Sequence, residues 1–70
     1  EAQRRARIKE LEEIIARLEE ETEILQEELT HEDVYSDYKL AEEKTLKIDE
    51  NTSQLEDCYE EWEILQEEEA

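Results

Sequence analysis

Residues 8–29, IKELEEIIARLEEETEILQEEL, decide the fold, because apolar side chains recur along them in steps that alternate between three and four residues. This is the spacing of a heptad seam, in which one stripe of a helix packs against a partner helix. The stretch therefore predicts a long helix with a second helix beside it. Its seam consists of Ile8, Leu11, Ile15, Leu18, Thr22, Leu25 and Leu29.

A second seam with the same alternating steps occupies the other half of the chain. Its phase differs from that of the first seam by two residues, whereas coiled coils commonly absorb interruptions of three or four residues. One uninterrupted helix is therefore excluded, and the chain must turn between Leu29 and Tyr38. The second seam consists of Val34, Tyr38, Ala41, Thr45, Ile48, Thr52, Leu55, Tyr59 and Trp62.

The segment between the seams contains residues that begin helices. Ser36 and Asp37 have side-chain oxygens that accept hydrogen bonds from the unpaired amides of a first helical turn. We expect a short helical turn in the connection, held by Val34 or Tyr35. The predicted organisation is a single domain over residues 1–70, with helix 1 over about 2–30, a tip over about 31–36 and helix 2 over about 37–68.

Folding the second seam back on the first gives one register, in which facing residue numbers add up to 66 or 67. The prediction is an all-α, antiparallel two-helix coiled-coil hairpin, monomeric rather than paired between molecules. A polar Thr22–Thr45 layer would set the register, and Arg4 would contact Trp62 through a cation–π interaction. The remaining layers are Leu29–Tyr38, Leu25–Ala41, Leu18–Ile48, Ile15–Thr52, Leu11–Leu55 and Ile8–Tyr59.

Composition excludes several classes of function. The chain has 25 acidic and 8 basic residues, a net charge of −17 and no glycine. A field of this sign repels phosphate and anionic membranes, and a phosphate-binding loop needs glycines. No apolar run approaches the roughly 18 residues that span a bilayer. The single cysteine, Cys58, fits a reducing compartment, so we expect a cytoplasmic location and no membrane partner.

A few residues are candidates for contacts with partners. Arg4, Arg5, Arg7 and Lys9 form a basic cluster that would touch nucleic acid or a neighbouring domain, although pairing with the acidic end of the chain is favoured. Tyr35 lies off the seam, where exposure at the tip and local packing are equally open. His31 has no second ligand at metal-site spacing, so a solvated turn is favoured. We predict no catalytic, cofactor or metal site in this chain.

Two segments resemble a known family. DVYSDY over residues 33–38 and LEDCYEEWEIL over residues 55–65 resemble the carboxy-terminal coiled-coil domain of ABC-F ATPases, in particular the Uup-like branch. The resemblance implies that this chain is a fragment of a larger bacterial protein, in which two cassettes bind ATP and magnesium. It also implies a translation factor that acts on ribosomes and lacks transmembrane domains, although such proteins are often called ABC transporter ATP-binding proteins.

Within this resemblance, the chain is a non-catalytic interaction arm whose partners are the parent ATPase domains and the ribosome. Two alternatives stay open. The carboxy-terminal domain of the Uup-like branch is associated with DNA binding, which the net charge of this chain disfavours. The third hypothesis is a purely structural, self-associating coiled coil. The chain also lacks the proline that is usual in the tip of the family.

Overall fold

The computed structural model describes residues 2–69, and these form three helices and two short connections. Helix α1 is Ala2–Glu28, helix α2 is Glu32–Tyr35 and helix α3 is Tyr38–Glu69. The ends of the predicted domain, Glu1 and Ala70, lie outside the described residues. The helices form a rod of 50 × 15 × 14 Å.

The two long helices pack side by side along the rod. Arg7, early in α1, contacts Glu61, late in α3, whereas Glu28, the last residue of α1, contacts Lys44 near the start of α3. The contacts thus run in opposite order along the two helices. This order is consistent with the predicted hairpin, and the described residues form no strand.

The core is a thin stripe between the long helices. On α1, Ile8, Leu11, Ile15 and Leu18 are each at most 8% exposed and follow the predicted seam. Two helices form only a thin core, so the apolar residues of α3 that face this stripe are half-buried. The four α3 residues that lie in both the predicted and the observed seam are Ala41, Ile48, Leu55 and Trp62.

The other half of the predicted α3 seam is wrong. Tyr38, Thr45, Thr52 and Tyr59 are exposed, while Lys44, Asn51, Cys58 and Leu65 lie at the interface instead. The hydroxyls of Thr45 and Thr52 donate to the carbonyls of Ala41 and Ile48 on their own helix, each at 2.9 Å. Lys44 and Asn51 belong to the seam because their polar ends reach carboxylates on α1, which gives the Lys44 ammonium and the Asn51 amide nitrogen an acceptor.

The predicted register is also wrong. The predicted register pairs Tyr59 with Ile8, but the Tyr59 hydroxyl donates to Glu19. It pairs Trp62 with Arg4, but the Trp62 indole nitrogen donates to Glu12 at 3.3 Å. Each of these two α3 residues therefore contacts a residue nearer the carboxyl end of α1 than the predicted register does. A heptad pattern looks equally regular after a slide of one heptad, so the spacing alone does not select one of these pairings.

Asn51 contributes to the choice of register, which the heptad spacing alone leaves open. It is 1% exposed, and its amide nitrogen donates to the Glu21 carboxylate at 3.0 Å. A single buried polar residue at a seam position favours the registers that give it a partner, and in the observed register Asn51 has one. Asn51 with Glu21 takes the role that the sequence assigned to Thr22 and Thr45.

The connection between the long helices turns without glycine. The amides of Thr30 and His31 donate to the carbonyls of Glu27 and Glu28 at 3.0 Å, which tightens the last turn of α1. Val34 of α2 is 7% exposed and anchors the connection. No described residue has a positive φ, so none needs the conformational freedom of glycine.

Asp37 begins α3 as its N-cap. Its Oδ1 accepts from the amide of Leu40 at 3.2 Å, which satisfies a donor that the first helical turn leaves unpaired. The polar residues between the seams predicted a helix start at this place. The first seam residue of α3 is consequently Ala41, and Tyr38 remains outside the interface.

We expect Asp37→Ala to lower the free energy of unfolding by about 1 kcal/mol, because the Leu40 amide loses its acceptor. Urea unfolding followed by circular dichroism measures the change. Asp37→Asn is the matched control, since it removes the charge and keeps an accepting oxygen. Equal losses in both variants would contradict a capping role.

We expect Asn51→Asp to lower the free energy of unfolding by about 2 kcal/mol at pH 7, because it sets a buried carboxylate against that of Glu21. The pKa of the new carboxyl is raised in the folded state, so the deficit is absent below its unfolded value and grows as the pH rises. Ser53→Asp adds the same charge at an exposed position and serves as control in the same thermal and urea unfolding. Matching effects at the two positions would exclude a special role for Asn51.

Candidate interaction site

Two tyrosines project from the connection between the long helices. Tyr35 ends α2 and is 60% exposed, and Tyr38 begins α3 and is 80% exposed. Val34 holds the short helix with its own side chain, so its neighbour Tyr35 is left in solvent. We call Tyr35 and Tyr38 the tip tyrosines. Exposed aromatic rings at the end of a rod are suited to packing against a partner.

The surroundings of the tip tyrosines are acidic and hold no metal cluster. Glu32, Asp33 and Asp37 are exposed beside them, together with His31, whose backbone precedes α2 without a side-chain cap. Within the part of the chain that the structure describes, no group of three acidic, histidine or cysteine side chains is arranged to hold a metal ion. The chemistry available here is aromatic contact and attraction of cations.

The basic cluster lies against the acidic end of α3. The Arg7 guanidinium donates to both carboxylate oxygens of Glu61, from Nε at 2.6 Å and from a terminal nitrogen at 3.0 Å, and it also contacts Glu10. Arg4 approaches Glu68 at 3.8 Å. Arg5 also takes part in a contact, and Lys9 is exposed on α1. The cluster therefore participates in pairing within the chain.

The pair of Arg7 and Glu61 perturbs the titration of both groups. The hydrogen bond from Arg7 lowers the pKa of Glu61 below its ordinary value of 4.5. The hydrogen bonds to Glu61 and Glu10 raise the pKa of Arg7 further above neutrality. Two-pronged guanidinium–carboxylate pairs combine charge with fixed geometry, which favours the observed alignment of the helix ends.

The described parts of the long helices form grooves between them, of which two are well defined. One has a volume of about 360 Å³ and is lined by Arg7, Ile14, Arg17, Leu18, Gln54, Asp57, Cys58 and Glu61. The other, which we call the aromatic groove, has a volume of about 190 Å³ and is lined by Glu12, Ile15, Ala16, Glu19, Tyr59 and Trp62. Cys58 is a half-buried free thiol in the first groove.

Sequence reasoning missed the aromatic groove because it assigned Tyr59 to the core. Tyr59 is 40% exposed, and its hydrogen bond to Glu19 raises the pKa of its hydroxyl. The signal was present: Cys58 and Leu65 continue the spacing of Lys44 and Asn51 by sevens, which rotates Tyr59 out of the seam. Lys44 and Asn51 were not assigned to the seam because lysine and asparagine are polar and are rarely buried in a core.

Comparison with known proteins gives one match. The family model described as ABC transporter C-terminal domain matches residues 1–67. No curated protein and no solved structure matches the chain. Among the helices formed by residues 2–69, none has the length and apolar character required to cross a membrane.

We expect Glu61→Gln to lower the melting temperature at pH 7 and to lose this effect in acid. The pKa of Glu61 is depressed in the folded state, so its contribution is present above pH 4.5 and disappears as the pH falls through the lowered value. Thermal unfolding at several pH values measures the effect. Glu60→Gln, at an exposed neighbour, is the control. A pH-independent difference for Glu61→Gln would contradict the ion pair.

Proposed function

Because the chain belongs to the ABC transporter C-terminal domain family, we propose that it is an interaction arm of an ATP-hydrolysing parent protein, without chemistry of its own. In this proposal the helix pair is an antiparallel coiled-coil hairpin. It extends from the parent domains and brings the tip tyrosines to a partner. The exposure of Tyr35 and Tyr38 at the connection is the observation that carries the proposal.

The shape and the charges of the rod support this role. A rod 50 Å long and about 15 Å wide offers reach and surface, and its core is too thin to enclose a substrate. The described carboxylates lie mostly in solvent along the helix faces. Catalytic groups need an enclosed environment that tunes their pKa, and a solvated helix face does not provide one.

We further propose that the parent protein is an ABC-F ATPase and that the arm contributes to its action on ribosomes in the cytoplasm. The resemblance of residues 33–38 and 55–65 to the Uup-like branch supports this assignment. ATP and magnesium would then bind in cassettes of the parent protein. The absence of glycine from this chain agrees with that division of roles.

DNA binding is the alternative within the same family. Its obvious contact residues are Arg4, Arg5, Arg7 and Lys9, but Arg7 and Arg4 already contact Glu61 and Glu68. A phosphate backbone would have to displace these carboxylates in the field of a chain of charge −17. The charges therefore favour the arm over the DNA-binding domain.

We expect Tyr35→Ser combined with Tyr38→Ser to weaken ribosome association of the full-length parent protein about tenfold, because buried aromatic anchors dominate interface energies. Co-sedimentation with purified ribosomes measures the association. Leu46→Ser is the matched control, since Leu46 is 56% exposed on α3 away from the connection. Unchanged association of the double variant would contradict a role for the tip tyrosines.

The two alternative functions, DNA binding and self-association, predict different experimental results. Micromolar binding of the chain to duplex or structured DNA, weakening steeply with salt, would favour the DNA-binding domain. A mass in sedimentation equilibrium that rises with concentration would favour the self-associating coiled coil. A constant monomer mass without DNA binding leaves the arm as the supported function.

A further inference from the structure

The aromatic groove combines two ring systems with two carboxylates. Trp62 is half-buried and Tyr59 is 40% exposed, so both rings present surface to solvent. Each ring donates its one polar hydrogen to a carboxylate across the groove: the Tyr59 hydroxyl to Glu19, and the Trp62 indole nitrogen to Glu12 at 3.3 Å. These bonds fix the rings relative to α1.

The charge balance of this groove differs from that of the other one. No lysine or arginine lines the aromatic groove, and its two carboxylates receive hydrogen bonds from neutral donors there. The larger groove holds Arg7 and Arg17 beside Asp57 and Glu61. The larger groove is therefore neutralised by its own side chains, whereas the aromatic groove keeps a local excess of negative charge.

We propose that the aromatic groove binds the guanidinium group of an arginine carried by a basic segment of a partner protein. Ring faces attract cations through their quadrupole, and guanidinium both stacks on rings and donates to carboxylates. The volume of about 190 Å³ lies below the roughly 300 Å³ at which pockets begin to hold drug-sized ligands. It suits one side chain, with Ile15 and Ala16 in contact with its aliphatic stem.

A basic partner fits this groove better than a second copy of the chain. In a second copy, Arg7 and Arg4 are engaged by Glu61 and Glu68, and Arg17 lies in the larger groove together with Asp57 and Glu61. Two chains of charge −17 also repel each other. A positively charged segment is attracted instead, because the negative electric field of the whole chain steers it towards the groove.

Trp62 is the only tryptophan of the chain, so its fluorescence reports on the aromatic groove directly. The probe is a tetra-arginine peptide with blocked ends, titrated into the protein at low salt, with tetra-glutamate as the opposite-charge control. We expect a saturable change in Trp62 emission with tetra-arginine, and weaker binding of tetra-lysine, which lacks the planar group. Absence of a change with tetra-arginine would overturn the proposal.

Variants separate the groove from general charge attraction. Glu12→Gln and Glu19→Gln should each weaken binding about fivefold, and Tyr59→Leu, which keeps the net charge, should weaken it by a similar factor. Glu20→Gln and Glu63→Gln remove the same charge at exposed positions outside the groove lining. Equal losses in these controls, or no loss with Tyr59→Leu, would reduce the binding to net charge and overturn the proposal.

Two measurements accompany the titration. Circular dichroism of each variant establishes that the helices remain formed, so a loss of binding is not a loss of fold. Sedimentation without peptide tests the second-copy occupant: a dimer that dissociates in the Tyr59→Leu variant would overturn the proposal in favour of self-association. The inference concerns a surface other than the tip tyrosines, so it stands or falls separately from ribosome association.

Discussion

The hydrogen bond from Asn51 to Glu21 is the constraint on which the alignment of this molecule depends. The apolar stripe of α1 supplies the burial that holds two helices together, but such a stripe accepts a partner in more than one register. Asn51 is almost fully enclosed, and in the observed alignment its amide nitrogen donates to the Glu21 carboxylate. The positions of both grooves and of the Arg7–Glu61 pair follow from that alignment, because all of them are built from both helices.

Charge is the second organising feature, and it is distributed unevenly between the two sides of the rod. Arg7 pairs with Glu61 in the lining of the larger groove, and Lys47 pairs with Glu21 between the same two helices. On the side of the aromatic groove, acidic groups meet neutral aromatic donors. A thin core leaves a small free energy of unfolding, so even the modest contribution of these partly exposed pairs is measurable, and the pairs also favour the observed meeting of the helix ends. The resulting excess of negative charge attracts positively charged groups and repels anionic ones.

Much of the fold was accessible from the pattern of residues. The steps of three and four in Ile8, Leu11, Ile15 and Leu18 identified a buried face, and that face is buried in the structure. The change of phase after Leu29 required a turn, and Asp37 marked the start of α3, where it caps the helix. The assignment of Tyr38, Thr45, Thr52 and Tyr59 to the seam failed because it ranked residues by polarity. A lysine stem or a hydrogen-bonded asparagine packs well once its polar end reaches a carboxylate.

The sequence by itself determined that this protein is a pair of long helices, where the chain turns, and that it lacks the glycines of a phosphate-binding loop, because periodicity, caps and composition are local properties. Membership of the ABC transporter C-terminal domain family also comes from the sequence. Only the tertiary structure decided which residues of α3 face α1, and therefore that Tyr59 and Trp62 form a groove with Glu12 and Glu19. The physical reason is that both the face and the register depend on contacts between residues far apart in the chain. Lys44 and Asn51 join the seam because carboxylates of α1 receive their polar ends, and a heptad repeat is unchanged by a slide of one heptad.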